Sequence, residues 1–315
     1  MSKTILFIDS VHTACMEELG CAGFECLDFS SRTDAETLER LKTADGAVIR
    51  SRFKLTKEIL QQCKNLKCVG RAGAGMENID VAFANSIGIS CVHAPEGNRD
   101  AVAEHAAGML LMLLNNLGRA NAEVRKGIWR REENRGVELM GKTVGIIGYG
   151  NMGSAFAQRL AGFGVKILAY DKYKKNFGTS SVKEATMDDV FRECDIVSLH
   201  VPLTEETNYL VNKEWLNCFH KPIVLINTAR GKCLDTAALV EAMKNGKVLG
   251  ACLDVLEYEA VSFENLNSKE IAAPLSYLFA SDRVVLSPHI AGWTHESNEK
   301  IARILAQRII TAFNR

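Results

Sequence analysis

Short apolar runs alternate with amphipathic segments along the whole chain, and this alternation constrains the fold more than any other feature. The runs predict buried strands, and the segments between them have the apolar spacing of helices. Repeated alternation of this kind predicts parallel sheets with helices on both faces, an α/β fold. The predicted strands are residues 5–8, 47–49, 67–69, 143–147, 166–170, 196–199, 223–226, 251–255 and 284–286. The predicted helices are residues 34–41, 57–63, 100–125, 154–163, 236–245 and 294–313.

The length of 315 residues exceeds what a single ordinary core requires and predicts two domains. The long helical segment 100–125 precedes the strand at 143–147, so we expect the chain to cross between domains near residue 99. The final helix is expected to return to the first domain. The predicted division is therefore residues 1–98 plus 293–315, and residues 99–292.

Composition excludes several classes of protein. Lysine plus arginine and aspartate plus glutamate both number 38, whereas a nucleic-acid-binding protein usually carries a basic excess. The ten cysteines include no Cys-x-x-Cys pair, which fits buried thiols in a reducing compartment and predicts no metal site. The longest apolar stretch, 101–114, is interrupted by Glu104 and His105 and is too short for a membrane span. With no signal peptide predicted either, a cytoplasmic protein is expected.

Residues 144–153, VGIIGYGNMG, carry a Gly-x-Gly-x-x-Gly motif that follows a predicted strand and begins a predicted helix. This context is typical of a dinucleotide-binding fingerprint, although a glycine-rich turn is the alternative. Gly148 permits a tight turn, Gly150 allows the backbone to approach a pyrophosphate, and Gly153 lets the helix pack closely on the strand. The helix N-terminus then offers free N–H groups to the phosphates.

Asp171 ends the next predicted strand, 171 − 153 = 18 residues after the third glycine. That spacing is close to the ~20 residues expected for the acid that binds the cofactor ribose. Its carboxylate would accept hydrogen bonds from ribose hydroxyls and repel the additional phosphate of NADP, so the sequence predicts NAD. Three lysines nearby leave some tolerance of NADP open, and a solvated strand end is the alternative interpretation of Asp171.

Three further segments follow apolar strands, where open α/β sheets bind their ligands. Arg230 could bind a substrate carboxylate through two parallel hydrogen bonds, a geometry that lysine cannot match. His289 could exchange the hydroxyl proton during hydride transfer, because histidine titrates near neutrality. A carboxylate bonded to its other ring nitrogen would fix the tautomer and favour the protonated form. Residues 254–259 supply acids for that role.

Taken together, these strings resemble the D-isomer-specific 2-hydroxyacid dehydrogenase family over nearly the whole chain. The matching segments, in chain order, are residues 70–80, 148–153, 200–204, 227–231, 254–259 and 287–292. The resemblance implies two Rossmann- or flavodoxin-like domains with parallel sheets and an active site in the cleft between them. The discontinuous domain would bind substrate, the central domain would bind NAD, and the protein would form a homodimer.

The resemblance also implies roles for individual residues. Arg230 would be the substrate clamp, His289 the acid/base and Glu259 its partner, with Glu257 as a competitor because Ala260 replaces the proline that usually follows the glutamate. The loop at residues 72–76 would bind the substrate carboxylate, with Ala74 and Gly75 in contact. Further cofactor contacts would come from Asn151, Met152, Val201, Thr228, Ala229, Asp254 and Gly292.

The substrate is left open between related acids. Residues 49–52 and 70–75 look most like the phosphoglycerate dehydrogenase branch, and Arg52 is the candidate for binding a phosphate, with an ordinary surface arginine as the alternative. Reduction of glyoxylate or hydroxypyruvate is the other enzymatic interpretation. A dinucleotide-sensing corepressor is the non-enzymatic one. The stretch 260–282 is longer than is usual in the family and receives no role.

Overall fold

The computed structural model describes residues 2–259 and 273–314. Within these residues the chain divides into two compact units, each with its own parallel sheet. Unit 1 comprises residues 2–99 and 293–314, and unit 2 comprises residues 100–259 and 273–292. The predicted α/β class with two parallel sheets is therefore confirmed.

Twelve strands and twelve α-helices are formed by the described residues. The strands are β1 (Thr4–Phe7), β2 (Glu25–Asp28), β3 (Gly46–Ile49), β4 (Cys68–Arg71), β5 (Ser90–His93), β6 (Thr143–Ile147), β7 (Lys166–Tyr170), β8 (Val182–Glu184), β9 (Ile196–Leu199), β10 (Ile223–Asn227), β11 (Val248–Leu253) and β12 (Val284–Leu286). The helices are α1 (Ala14–Cys21), α2 (Asp34–Leu41), α3 (Lys57–Leu60), α4 (Val81–Ser86), α5 (Arg99–Leu114), α6 (Leu117–Val124), α7 (Asn151–Leu160), α8 (Met187–Glu193), α9 (Lys213–Asn217), α10 (Thr236–Lys244), α11 (Ala273–Ala280) and α12 (His295–Phe313).

Unit 1 is built on a five-stranded sheet in the order β2-β1-β3-β4-β5. Alternate residues of β1 belong to two different apolar clusters, because successive side chains of a strand point to opposite faces. The C-terminal helix α12 packs on α1 and β4 in this unit. A Cβ atom at Gly70 would lie 2.8 Å from Ile309 Cδ1, so glycine allows α12 to approach β4 closely. Thr294 begins this helix by accepting a hydrogen bond from the Ser297 N–H.

Unit 2 is built on a seven-stranded sheet in the order β12-β11-β10-β9-β6-β7-β8. Apolar clusters again cover both faces, which is why its central strands are continuous hydrophobic runs. The helix predicted over residues 100–125 is wrong in one respect, because α5 ends at Leu114 and α6 begins at Leu117. Asn116 between them has φ 51°, a left-handed conformation that asparagine tolerates and a continuous helix cannot contain.

Two further sequence observations bear on the fold. No helix within residues 2–259 and 273–314 is both long and apolar enough to cross a membrane. The unusually long stretch 260–282 lies partly outside the described residues, since only its last part, including α11, is described.

Candidate active site

The carboxyl ends of the parallel strands in unit 2 lie at one edge of the sheet, and most of the predicted site residues follow them. Strands β6, β9, β10, β11 and β12 all run in the same direction. The fold therefore brings the fingerprint, the arginine segment, the acidic segment and the histidine segment to a common edge. This placement is the one that open α/β sheets use for ligands.

The glycine fingerprint forms the turn from β6 into α7. Gly148 has φ 91°, and a Cβ atom there would lie 2.6 Å from the His200 carbonyl oxygen. A Cβ atom at Gly153 would lie 2.1 Å from the Gly148 carbonyl oxygen, so α7 can pack against the turn only with glycine here. Gly150 instead faces open space and is followed by Asn151 at the start of the helix. This arrangement fits a pyrophosphate bound against the helix N-terminus.

Asp171 follows β7 and is bonded to the fingerprint turn. Its Oδ2 accepts from the Tyr149 N–H at 2.8 Å, and its Oδ1 accepts from the Tyr173 and Lys174 N–H groups at 2.9 and 3.0 Å. Partial burial opposes ionisation, but these bonds and the charge of Lys174 outweigh it and hold the pKa of Asp171 below its usual value. A charged carboxylate with four acceptor positions, three of them used, fits a ribose hydroxyl donor.

The segment after β10 is tied together by Asn227, a residue that sequence reasoning did not single out. The buried Asn227 accepts from the Ala229 N–H and donates to the Arg230 carbonyl, both at 3.0 Å. Beside it, the Thr228 hydroxyl is buried with no hydrogen-bond partner among the described residues. An unsatisfied hydroxyl at this edge fits a polar ligand atom, because a buried polar group otherwise costs stability.

Gly231 is a second position that the sequence reasoning passed over. A Cβ atom at Gly231 would lie 2.0 Å from the Leu256 carbonyl oxygen, so only glycine lets the two backbone segments approach this closely. Arg230, half-buried, therefore sits on a segment held directly against residues 254–259. Its guanidinium also donates to the Ala229 carbonyl at 2.7 Å. The motif Arg-Gly was the available signal for this contact.

His289 and Glu259 form a hydrogen-bonded pair. His289 Nδ1 lies 2.7 Å from Glu259 Oε2, and both side chains are mostly buried. The second oxygen of Glu259 accepts from the Leu256 N–H, which fixes the carboxylate within its own turn. His289 has φ 56°, a conformation rare for residues other than glycine. Geometry thus brings together the acid and the histidine that the sequence paired.

Glu257, the competing acid, points elsewhere. Its carboxylate accepts from the Tyr209 hydroxyl at 2.8 Å and from the Thr236 N–H at 3.1 Å, at the start of α10. The bond to Glu257 raises the pKa of Tyr209 to about 12. Since an acid near a helix N-terminus is stabilised by the helix dipole, the position of Glu257 has a structural explanation.

Asp254 is almost fully buried and its carboxylate already holds three protein donors. Oδ1 accepts from the Ser287 hydroxyl at 2.6 Å and from the Ile290 N–H at 2.9 Å. Oδ2 accepts from the Ala291 N–H at 2.9 Å. The residue expected at the cofactor carboxamide therefore also anchors the segment that carries His289 and leads to Gly292.

His200, a further histidine at this edge, is unsuited to proton exchange. Burial lowers the pKa of His200 to about 3, so the ring stays neutral at neutral pH. Its Nε2 lies 2.8 Å from the Ser198 hydroxyl. Val201, predicted along the cofactor, follows it and packs beside Gly148.

In unit 1, the loop 72–76 follows β4. Gly73 has φ 150°, and its carbonyl accepts from the Ala94 N–H at 3.0 Å. The Ala74 carbonyl lies 2.5 Å from His93 Nδ1, so the loop with Gly75 is tied to the end of β5.

Arg52 is engaged by the protein itself. Its Nε donates to Asp34 at 2.8 Å, and its terminal nitrogens donate to the carbonyls of Ile8, Phe29, Ser30 and Arg32. A guanidinium satisfied in this way joins the segments after β1, β2 and β3. The structure therefore favours the interpretation of Arg52 as a structural arginine over a phosphate ligand.

Comparison with known proteins agrees with this arrangement. A family profile described as "D-isomer specific 2-hydroxyacid dehydrogenase, NAD binding domain" matches residues 107–291. Hydroxypyruvate reductase of Thermotoga maritima is 38% identical over 274 residues, covering 87% of this chain and 86% of that protein. D-3-phosphoglycerate dehydrogenase of Methanocaldococcus jannaschii is 36% identical over 97% of this chain, which spans only 56% of that protein's length.

A solved structure of D-lactate dehydrogenase from Aquifex aeolicus, complexed with NAD and lactic acid, has a TM-score of 0.84 and 29% identity. The alignment covers 99% of this chain and 95% of that structure.

Among the described residues no group of three or more His, Cys, Asp or Glu could hold a metal ion. The resemblance inferred from the motifs and the expectation of NAD as cofactor are confirmed. The chain belongs to the D-isomer specific 2-hydroxyacid dehydrogenase family and is an oxidoreductase.

Proposed function

We propose that the protein interconverts a small D-2-hydroxy acid and its 2-oxo acid, with Arg230, Glu259 and His289 as the catalytic residues. The observation that carries this proposal is the 2.7 Å bond between Glu259 and His289. It lies at the same sheet edge as Arg230, whose segment packs against residues 254–259. An acid/base pair and a guanidinium beside a dinucleotide fingerprint are the groups that hydride transfer to a 2-oxo acid requires.

Each side chain has a distinct task in this reaction. When bound, the nicotinamide ring supplies or accepts the hydride at C2 of the substrate. Arg230 binds the substrate carboxylate and orients C2. In reduction, His289 gives the proton on Nε2 to the carbonyl oxygen, and in oxidation it takes that proton from the hydroxyl. Glu259 bonds Nδ1, which fixes the ring orientation and stabilises the protonated imidazole.

The remaining predicted site residues are proposed to bind the ligands. Ala74 and Gly75 would offer main-chain N–H groups to the substrate carboxylate, and the positive φ of Gly73, 150°, supports a loop conformation that other residues rarely adopt. The unsatisfied hydroxyl of Thr228 supports a cofactor contact at that position. The other proposed cofactor contacts are Gly148, Gly150, Asn151, Met152, Gly153, Asp171, Val201, Ala229, Asp254 and Gly292.

For the substrate, we propose a small unphosphorylated 2-oxo acid, hydroxypyruvate or glyoxylate. Arg52 supports this choice, because its guanidinium already donates to Asp34 and to four main-chain carbonyls. Arg52 was the residue first considered as a phosphate ligand. The motif resemblance of residues 49–52 and 70–75 keeps 3-phosphohydroxypyruvate as the second candidate. In that case Arg50, whose guanidinium lies 4.1 Å from the Trp293 ring centre, is the next cation to test.

Steady-state kinetics with a panel of 2-oxo acids tests the proposal. Glyoxylate, hydroxypyruvate, pyruvate and 3-phosphohydroxypyruvate are each reduced with NADH and NADPH. We expect the unphosphorylated acids to have the higher kcat/KM, and Arg52→Ala to lower thermal stability and affect all acids alike. A selective rise in KM for the phosphorylated acid would restore Arg52 as a phosphate ligand. Absence of turnover with every acid would favour a dinucleotide-sensing protein.

Cofactor selectivity is expected to depend on Asp171. Asp171→Asn keeps one side-chain oxygen, which can accept from the Tyr173 and Lys174 N–H groups, but it removes the charge that repels a 2′-phosphate. We expect the ratio of kcat/KM for NADPH over NADH to rise by about tenfold or more. Repulsion between the carboxylate and the 2′-phosphate would be lost, and a loss of ~1.4 kcal/mol corresponds to a factor of ten. Kinetics with both cofactors measures the ratio.

The control for this variant is Asp188→Asn, which removes an exposed carboxylate from the first turn of α8. It should leave the ratio unchanged. If Asp171→Asn also leaves the ratio unchanged while the protein stays folded, the role proposed for Asp171 is wrong.

We propose that the protein is a homodimer formed through unit 2. Of the fifteen large hydrophobic side chains that are exposed among the described residues, seven lie between residues 112 and 140. Apolar surface concentrated in one stretch of chain is typical of an interaction face. We expect light scattering to give about twice the 34.6 kDa chain mass, and Trp129→Asp with Val124→Asp to give monomers. A monomeric wild-type protein would contradict the proposal.

A further inference from the structure

A cluster of three side chains connects helix α5 to the segment that carries His289. His105 Nε2 lies 2.8 Å from the Ser287 hydroxyl and 3.5 Å from Asp254 Oδ1, and the Ser287 hydroxyl donates to Asp254 Oδ1 at 2.6 Å. All three residues belong to unit 2. Asp254 has a side-chain exposure of 1%, and His105 has 25%. None of the roles derived above requires His105, so its place beside two site residues needs an explanation.

The direction of the bonds follows from the number of hydrogens. Ser287 has a single hydroxyl hydrogen, and the carboxylate oxygen at 2.6 Å is its strongest acceptor. The Met109 sulfur, 3.6 Å away, is a weaker one. The hydroxyl oxygen is then left to accept, so His105 must donate from Nε2. His105 therefore carries a hydrogen on Nε2 and holds Ser287 in the orientation that serves Asp254.

Asp254 transmits this restraint to the histidine segment. Its carboxylate accepts from the Ile290 and Ala291 N–H groups, both at 2.9 Å, and its main-chain carbonyl accepts from the His289 N–H at 2.7 Å. Three donors of the segment 287–291 therefore bond to the carboxylate of Asp254. These bonds hold His289 at φ 56°, a conformation that persists only where the surroundings enforce it.

We propose that His105 is a positioning residue for His289, acting through Ser287 and Asp254. This inference rests on the proposed function, in which His289 exchanges the substrate proton. Without the His105 donor, the Ser287 hydroxyl can turn toward Met109, and Asp254 loses one of the donors that fix its carboxylate. The His289 backbone then samples other conformations, and its ring spends less time within reach of the substrate oxygen.

Substitutions of His105 test the proposal. His105→Leu removes the donor, whereas His105→Gln places an amide N–H close to the position of Nε2. We expect His105→Leu to lower kcat by roughly tenfold, within the ~100-fold that a displacement of about 1 Å can cost. The Kd for NADH, from fluorescence titration, should change by a smaller factor than kcat, because only the Asp254 contact with the cofactor is loosened, and His105→Gln should recover most of the loss. A general loss of structure would not give this split or this rescue.

A double-variant cycle adds a second measurement. Because the residues act in series, His105→Leu combined with Ser287→Ala should be no slower than the slower single variant. If His105→Leu does not fold, Ser287→Ala removes the same link and should show the same loss of kcat. The matched control is His220→Leu, at an exposed histidine of the same unit, which should keep wild-type kcat.

The outcomes separate this inference from the proposed function. Full activity of His289→Ala would overturn the proposed function itself. An inactive His289→Ala together with wild-type kcat for both His105→Leu and Ser287→Ala would overturn only the role of His105. Independent, multiplicative losses in the double variant would also overturn it, because they would mean that the two residues do not act through one another.

Discussion

Arg230→Lys is expected to lower kcat/KM for the 2-oxo acid by roughly ten- to a hundredfold. Lysine keeps the positive charge but loses the planar fork that meets both carboxylate oxygens. One charge-assisted hydrogen bond contributes about 1.5–3 kcal/mol, and each 1.4 kcal/mol corresponds to tenfold. Steady-state kinetics with the best acid of the panel measures the loss. NADH affinity, read by fluorescence titration, should change little.

The control for Arg230→Lys is Arg192→Lys, at an exposed arginine of α8 that pairs with Asp189 and Glu193. It should match the wild type in both measurements. A large loss of NADH binding in Arg230→Lys, with the acid's KM unchanged, would show that Arg230 serves the cofactor instead of the substrate.

The sequence predicted the central strands of both sheets but missed three strands, and all three lie at sheet edges. β2 and β5 are the outer strands of unit 1, and β8 is an outer strand of unit 2. An edge strand is covered on fewer sides, so it can be short and polar, as Val182–Glu184 is. Hydrophobic patterning detects burial, and it therefore fails where a strand needs little of it.

The sequence contained a local signal for the break between α5 and α6, but the helical periodicity of the apolar residues led to the prediction of one continuous helix. Asn115 and Asn116 interrupt an apolar pattern that otherwise continues, and Asn116 adopts the left-handed conformation. Asparagine is among the few residues that tolerate this conformation, but it also occurs within helices. The dipeptide alone did not distinguish the two cases, since the tertiary packing of α5 decides where the helix ends.

The candidate site was predictable where a motif follows a strand, because parallel strands bring their carboxyl ends to one edge. Arg230 and His289 were located in this way. The environment of Arg52 was not predictable, since its acceptors are main-chain carbonyls such as Ile8 and Phe29, which the sequence does not place. The same is true of His105, whose partner Ser287 is 182 residues away along the chain.

His289→Ala is expected to lower turnover in both directions by about 10²–10⁴-fold, the usual contribution of a general acid/base, with NADH binding retained. Its partner is tested by Glu259→Gln. The Glu259 carboxylate lies 2.7 Å from Nδ1 and fixes the orientation of the ring. Glutamine keeps the shape of the side chain but removes its charge, so kcat should fall in both directions, by a smaller factor than in His289→Ala.

Glu257→Gln is the matched control, because this acid lies two residues away and bonds Tyr209 and Thr236 instead of His289. It should keep wild-type kcat while lowering the melting temperature, since an acceptor at the start of α10 is weakened. Turnover is measured in both directions at saturating cofactor. A loss of kcat in Glu257→Gln with none in Glu259→Gln would reverse the roles of the two acids. Wild-type kcat in both variants would mean that neither carboxylate assists His289, although Glu259 lies 2.7 Å from its ring.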